Sequence, residues 1–419
     1  MEIPKAIITH MKKYSEHLRR YPKLRKMYES CYLSTIRTAL RQMDGSYFVL
    51  TGDIPAMWLR DSTAEVVIYL DAAKESDEVR DIIKGVIDRQ MDYILIDPYA
   101  NAFNEDNNGK HGMNDIPKPS GWVWERKYEV DSLCYPLQLV YKYVKATGDI
   151  SVIDEKFKET VKLILHVWQT EQYHEEKSGY YFIRRNAPTS DTLPHKGKGN
   201  PVAYTGMTWS GFRPSDDACR YGYLVPSNMF AAVTLKYAAE LLDGDISEKC
   251  TVLAGEIRNG IEEYAIINHS KYGKMYVCET DGYGNYELFD DANIPSLLSI
   301  PYIGFAEIDD KIYQNTRRFI LSEDNPYYFR GNDVSGVGSP HTPDGYIWHM
   351  ALCMQALTSQ NAREIRNIIN MLENTDNDTL RMHESFDKDN PSEYTRPWFC
   401  WADSLFAETV EMAVQKGII

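Results

Sequence analysis

Residues 51–66 read TGDIPAMWLRDSTAEV. They set Trp58, Arg60 and Asp61 almost side by side, with Asp53 and Pro55 in the turn before them, just ahead of a helix-like run. A surface loop needs no such set. A pocket for a polar ligand with flat apolar faces does, because indole covers a face while guanidinium and carboxylate grip hydroxyls.

The same mixture recurs down the chain. SGWVWERKYEVD carries Trp122 and Trp124, and TGMTWSGFRPSDDACRYGY carries Trp209, Arg213, Asp216 and Asp217. GVGSPHTPDGYIWH holds His341, and MHESFDKDNPSEYTRPWFCW holds Glu384, Glu393, Trp398 and Trp401. Sugars ask for these side chains: a pyranose stacks one face on Trp or Tyr and presents a ring of hydroxyls to Arg, Asp and Glu. Two carboxylates facing each other across a glycosidic bond would add hydrolysis, one protonating the leaving oxygen and the other activating water or attacking.

Each residue also has a plainer role open to it. Arg60–Asp61 could be an ion pair pinning its loop. Asp216 and Asp217 could cap a helical turn after Pro214 and Ser215. Glu384 could be a solvated loop carboxylate and His341 a hydrogen-bonded structural histidine. The acidic run EDNNGKHGMND fits no EF-hand spacing, so no metal is expected. There is no G-x-S-x-G, H-E-x-x-H, Walker A or strand-linked G-x-G-x-x-G pattern, and Cys219 has no histidine in a suggestive frame.

Composition narrows the ligand. The 419-residue chain carries a formal charge of −15, which excludes a nucleic-acid face and disfavours an anionic membrane or polyanion. A neutral ligand fits. Seven widely spaced cysteines with no C-x-x-C indicate neither a zinc site nor a disulfide framework, and the N-terminal MEIPKAIITHMKKYSEHLRR lacks a signal-peptide pattern. A cytoplasmic enzyme is the expectation. Aromatics make up 12% of the chain, with 30 Tyr and 8 Trp. Only Trp168 and Trp348 fall well inside expected helices, so the tryptophans gather on or beside the long loops.

Helical periodicity dominates. It predicts helices over about 4–21, 23–43, 62–73, 75–96, 129–147, 150–174, 226–243, 246–268, 291–300, 306–322, 344–358, 361–375 and 400–415. Extended pieces are few: SYFVLT, YYFIRR, and MYVCET/NYELFD, a hairpin around DGYG. Short connections near 22, 74, 148, 244, 303 and 360 alternate with long ones at 44–61, 97–128, 175–225, 269–290, 323–343 and 376–399. A closed ring of paired helices would put every long loop on one rim. The expectation is an all-α (α/α)6 barrel with long rim loops and a few short β-hairpins, forming a single domain over 1–419, with 1–22 as an extra N-terminal helix.

The motifs TGDIPAMWLRDS, DPYANAFN, WVWERKYEVDSLCYP, TWSGFRPSDDA, DDANIPSLLSIPY, SPHTPDGYIWHMAL and MHESF together resemble glycoside hydrolase family 125, a family of bacterial and fungal exo-acting α-1,6-mannosidases. The resemblance runs from about residue 30 to the C-terminus. It implies an (α/α)6 barrel, inversion without metal or organic cofactor, and release of single non-reducing-end α-1,6-linked mannose residues from N-glycan or mannan fragments. A mannose-containing oligosaccharide is then the partner, with no nucleic acid and no membrane. On the motif match, Asp216 is the general acid and Glu384 the general base, with Asp217 and Glu393 as rivals. Asp216 would need a raised pKa, favoured by burial and by Asp217. The carboxyl groups would stand roughly 6.5–9.5 Å apart around a water. Trp58, Arg60 and Asp61 would grip the terminal mannose, Arg213 and His341 would meet hydroxyls, and Trp124 or Trp398 would stack. The alternatives are another (α/α)6-barrel sugar enzyme, a different glycosidase or an epimerase, and a non-catalytic oligosaccharide-binding protein. An epimerase would need paired rim histidines, and His111, His195, His341 and His383 show no such spacing.

Overall fold

The structure, a computed structural model, describes residues 2–419. Its helices are α1 (Lys5–His17), α2 (Pro22–Tyr32), α3 (Leu59–Val66), α4 (Leu70–Ala73), α5 (Asp77–Ile96), α6 (Val130–Thr147), α7 (Glu155–Glu171) and the single turns α8 (His174–Lys177) and α9 (Pro194–Gly197). They continue as α10 (Val225–Leu241), α11 (Gly244–Tyr264), α12 (Lys311–Ile320), α13 (His349–Leu357), α14 (Ala362–Asn374) and α15 (Cys400–Gln415).

Two kinds of helix result from two kinds of pattern. In α14 only Ile365, Ile368, Ile369 and Leu372 are buried, an i, i+3, i+4, i+7 stripe that leaves the other face to water. In α10 every residue from Val225 to Leu235 is buried, as a helix covered on all sides requires. Ends follow local chemistry. The Asp154 carboxylate accepts from Phe157 N–H at 2.9 Å to start α7, and Gly148 at φ 71° ends α6 in the left-handed conformation.

Sequence neighbours pair, α10 with α11, α13 with α14 and α1 with α2. The covered helices meet in succession: α3 on α6, α6 on α10, α13 on α15, and α15 back on α3. One continuous apolar core runs from Ile7 to Ile418. Among the described residues, no helix is long and apolar enough to cross a membrane.

Several expected helices change, and three show why. The run over 23–43 stops at Tyr32, makes a wide helical turn at Thr35–Ala39 and becomes a strand, Leu40–Met43, paired with Ser46–Val49. The run over 246–268 ends at Tyr264 and continues as the strand Ile266–His269. Residues 291–300 form turns instead of a helix. There the buried Asp290 carboxylate takes the N–H groups of Leu297 and Leu298, at 2.7 and 3.0 Å, and the Ser296 and Ser299 hydroxyls bond locally. Such side chains compete with a helical ladder. This segment is still tied to the helices: Tyr135 of α6 and Tyr313 of α12 donate to the carbonyls of Ile294 and Leu298 at 2.9 and 3.0 Å. The expected hairpin around DGYG forms at its tip, where Glu279–Thr280 pairs with Tyr286–Glu287, whereas Met275–Tyr276 pairs back with Ile266–Ile267.

Candidate active site

The opening stretch is positioned by a ribbon of three short strands. Met57–Trp58 pairs with Ala102–Phe103, which pairs with Val123–Glu125, so the first two long loops are stitched together. Trp58, Ala56 and Ala102 form a small apolar cluster separate from the main core, with Ile54 and Trp124 packed on it. Immediately after Trp58, α3 begins, and its first turn buries Arg60 and Asp61.

Arg60 is the hub. Its Nη1 lies 2.5 Å from Glu129 and 3.2 Å from Asp131, its Nε 3.4 Å from Asp61 and its Nη2 3.9 Å from Asp216. Trp401 lies under the guanidinium at 5.7 Å. Burial alone would lower the Arg60 pKa, but these carboxylates outweigh it and raise it, so the guanidinium stays charged. Burial raises Asp61, against the pull of Arg60. Asp61 Oδ1 accepts from Thr51, while its Oδ2 is buried with no hydrogen-bond partner.

Asp216 sits in a tight turn closed by Arg213 N–H to Asp217 O at 2.8 Å and Asp216 N–H to Arg213 O at 2.9 Å. Its φ is 67°, a left-handed conformation that Asp tolerates at a cost on the order of 1–3 kcal/mol. Its Oδ1 accepts from Asn101 Nδ2 at 3.0 Å and from Trp58 Nε1 at 3.4 Å, and Lys127 Nζ donates to its carbonyl at 2.7 Å. The raised pKa expected for this residue is not found. Burial does push it up, but the charges of Lys127 and Arg60 and a hydrogen bond with Glu129 outweigh that and hold it at about 2. Asp217 Oδ1 stands 3.3 Å from His341 Nδ1.

His341 carries the charge on this side. Burial opposes it, yet the hydrogen bond with Asp217 and the charges of Asp217, Glu384 and Asp216 raise its pKa to about 9. Glu384 stands at the head of the strand Ser385–Asp387, which is held between Tyr346–Trp348 and Tyr394–Thr395. It is 6% exposed, and Arg396 Nη1 is 3.7 Å from its Oε1, beyond hydrogen-bond distance. Its carboxylate is thus buried, with cations near it but no side-chain hydrogen bond from the protein.

Arg396 ties this loop to the first one. It bonds Asp53 Oδ1 through Nε at 2.8 Å and the Thr51 carbonyl through Nη2 at 3.0 Å. The two backbones touch where Gly52, at φ 111°, meets the Trp398 carbonyl, and a side chain at residue 52 would collide there.

The other expected residues fall in different surroundings. Arg213 is clamped by Glu279 at 2.6 Å and lies 4.7 Å over Phe289. Trp398 packs against the main core and gives its indole N–H to Cys400 Sγ at 3.0 Å. Trp209 is core, stacked on His174 at 3.7 Å. Glu393 is exposed at the surface. Sequence reasoning assigned nothing to Asn101, Lys127, Glu129, Asp131 and Arg396, although WVWERKYEVD and SEYTRPW contain four of them; a cation or carboxylate beside loop tryptophans was the available signal.

Buried carboxylates and cations around a small tryptophan wall, at the rim of a helix-rich fold, define a carbohydrate-processing class of site. Comparison with known proteins gives the particular family. Residues 21–411 match the metal-independent alpha-mannosidases (GH125), and the chain belongs to that family, an α-mannosidase among the glycoside hydrolases. It is similar to a Streptococcus pneumoniae alpha-mannosidase solved in a non-productive complex with α-1,6-mannobiose, at 46% identity and a TM-score of 0.96 over 99% of this chain and 100% of that one. It is also 39% identical to the meiotically up-regulated gene 157 protein of Schizosaccharomyces pombe, over 92% of this chain and 81% of that protein. A wild-type glycosidase structure at 13% identity shares the fold, with a TM-score of 0.54 over 95% of this chain and 99% of that one.

Proposed function

We propose that this protein is an inverting exo-α-1,6-mannosidase that removes the terminal mannose of a mannose-containing oligosaccharide by single displacement. Asp216 protonates the departing glycosidic oxygen. Glu384 takes a proton from a water that attacks the anomeric carbon from the opposite face. Trp58 and Trp124 form the wall for the apolar face of the sugar, and Arg60, Asp61 and His341 hold its hydroxyls. The observation that carries this reading is the contrast of the two carboxylates that both act on His341: Asp216 wrapped in donors, Glu384 buried without a hydrogen bond. The α-1,6-mannobiose complex of the pneumococcal relative supports the linkage.

Arg213 and Trp398 have weaker claims to the sugar, since their polar groups are spent on Glu279 and Cys400. In this reading the helix succession that closes from α15 onto α3 is an (α/α)6 barrel, in which the non-helical 291–304 segment stands where one inner helix would be. The chain is one domain, because its core is continuous. Seven buried free thiols suit a reducing, cytoplasmic setting.

The test is NMR-monitored hydrolysis of α-1,6-mannobiose. Early β-mannose is the expected product. Early α-mannose would mean retention and would remove the water-activating role of Glu384. Tight binding with no release would leave only a sugar-binding protein.

A further inference from the structure

Glu129 stands immediately before α6 and is 1% exposed. Its Oε2 accepts from Arg60 Nη1 at 2.5 Å and from Ser132 Oγ at 2.7 Å. Its Oε1 shares the Asn101 amide with Asp216 Oδ1, at 3.5 and 3.0 Å. The carboxyl groups of Glu129 and Asp216 thus converge on one amide and on one guanidinium, that of Arg60, at 2.5 and 3.9 Å. Two carboxylates crowded onto the same donors repel each other, and one proton held between the pair relieves that repulsion.

Counting charges gives the same answer. Asp61, Glu129, Asp131 and Asp216 all lie within 3.9 Å of the one guanidinium of Arg60. The next cation, Lys127, is already shared among Glu125, Asp191 and the Asp216 carbonyl. Burying the surplus anion costs more than binding a proton. Burial and the neighbouring Asp216 push the Glu129 pKa well up, against Arg60.

We propose that Glu129 and Asp216 form a proton-sharing pair in which Glu129 stores the proton that Asp216 delivers to the leaving oxygen. This rests on Asp216 being the general acid. The proton passes from a Glu129 oxygen to Asp216, and from Asp216 to the glycosidic oxygen as its bond to the anomeric carbon breaks. The attacking water forms the new bond there and gives its proton to Glu384. The cycle closes when Glu384 releases that proton to solvent and the pair takes one back. Glu129 is buried, and its proton reaches the substrate only through Asp216, so beyond any effect on Arg60 its loss must be felt where protonation of the leaving group matters.

That dependence is the test. Wild type, Glu129→Gln, Glu129→Asp and Asp216→Asn are compared on α-1,6-mannobiose and on an activated dinitrophenyl α-mannoside, whose leaving group departs without a proton. Glu129→Gln is expected to lose about tenfold or more beyond its loss on the aryl substrate when mannobiose is used. Equal losses on both substrates would mean a structural role and would overturn the proposal. If Glu129→Gln does not fold, Glu129→Asp, which withdraws the carboxyl from Asp216, carries the same comparison: a larger loss on mannobiose supports the stored proton, and equal losses overturn it. Infrared difference spectra at neutral pH need no activity: wild type minus Glu129→Gln should show one protonated carboxyl lost, and no such band would also overturn the proposal. Asp216→Asn separates the two levels. If it too loses equally on both substrates, the acid assignment itself fails; if it discriminates while Glu129→Gln does not, only the stored proton fails.

Discussion

The surroundings of the two candidate carboxylates are built on opposite principles. Around Asp216 every neighbour is a donor or a charge: Asn101, Trp58, Lys127, Arg60 and Glu129 converge on one residue held at φ 67°. Around Glu384 the chain keeps its distance, with Arg396 at 3.7 Å and the strand Ser385–Asp387 fixing only the backbone. The crowded side suits a group whose proton must be supplied and aimed. On the proposed roles, the sparse side suits the base, whose carboxylate must be free to take a proton from a water. A pair of carboxylates can therefore divide acid and base work through the number of protein contacts each is allowed, as well as through their pKa values.

Breaking each side should cost most of the activity, in distinguishable ways. Asp216→Asn should reduce kcat on α-1,6-mannobiose by about 10²–10⁴-fold and recover much of it on an activated aryl mannoside. Glu384→Gln should lose a similar factor of about 10²–10⁴ on both substrates, because water must be activated whatever the leaving group. Steady-state kinetics on the pair of substrates checks this. If the two variants respond alike to the leaving group, the division of labour is wrong.

The next effect is on stability and concerns the crowded side alone. Arg60→Met removes the cation that three buried carboxylates and the partly exposed Asp216 surround. Removing one partner of a buried ionic network leaves uncompensated charge, worth about 3–5 kcal/mol. Arg396→Met, on the sparse side and partly exposed, should cost well under half of that. Urea unfolding of the two variants measures the difference, and equal losses would mean that the contrast between the two sides is not energetic.

How much of this was legible beforehand depended on distance along the chain. Trp58, Arg60 and Asp61 could be singled out because their types sit together in one short stretch. Long and short connections alternate visibly, which is why a single rim of long loops was expected. The wrong pKa direction for Asp216 came from its neighbours in sequence: Asp217 was expected to raise it, but the residues that control it, Lys127 and Arg60, arrive from elsewhere, and Asn101 bonds it from 115 positions away. Arg396 went unassigned for the same reason, since its partner Asp53 is 343 positions distant. The helix expected over 291–300 failed on a local count, because apolar spacing says nothing of the Asp290 carboxylate that occupies two of its N–H groups.

His341 links the two sides, and its titration tests whether they communicate. Its folded-state pKa of about 9 lies above the ordinary 6.5, so the imidazolium interactions with Asp217, Glu384 and Asp216 are fully present below 6.5. They fade as pH rises through about 9. His341→Gln should raise KM about three- to tenfold at neutral pH and flatten the alkaline weakening of binding that wild type shows; an NMR titration of the ring checks the pKa itself. A ring titrating near 6.5 would mean that the carboxylates of the two sides do not act on it together.

The smallest expected effect falls on the tryptophan wall. Trp124 is only partly buried and packs on the Trp58 cluster, outside the main core. Trp58, by contrast, spends its indole N–H on Asp216 and precedes α3 directly. The two rings lie in one cluster but differ in what else depends on them. Trp124→Ala should remove stacking alone, about 0.5–1.5 kcal/mol, which is a rise in KM of about two- to twelvefold with kcat nearly unchanged. Trp58→Phe keeps an aromatic face and deletes the donor, so it should lower kcat more than it raises KM. Steady-state parameters for the two variants decide the matter. If Trp124→Ala lowers kcat and Trp58→Phe does not, the wall is aligned with the reacting bond through Trp124, and the sugar lies the other way across the cluster.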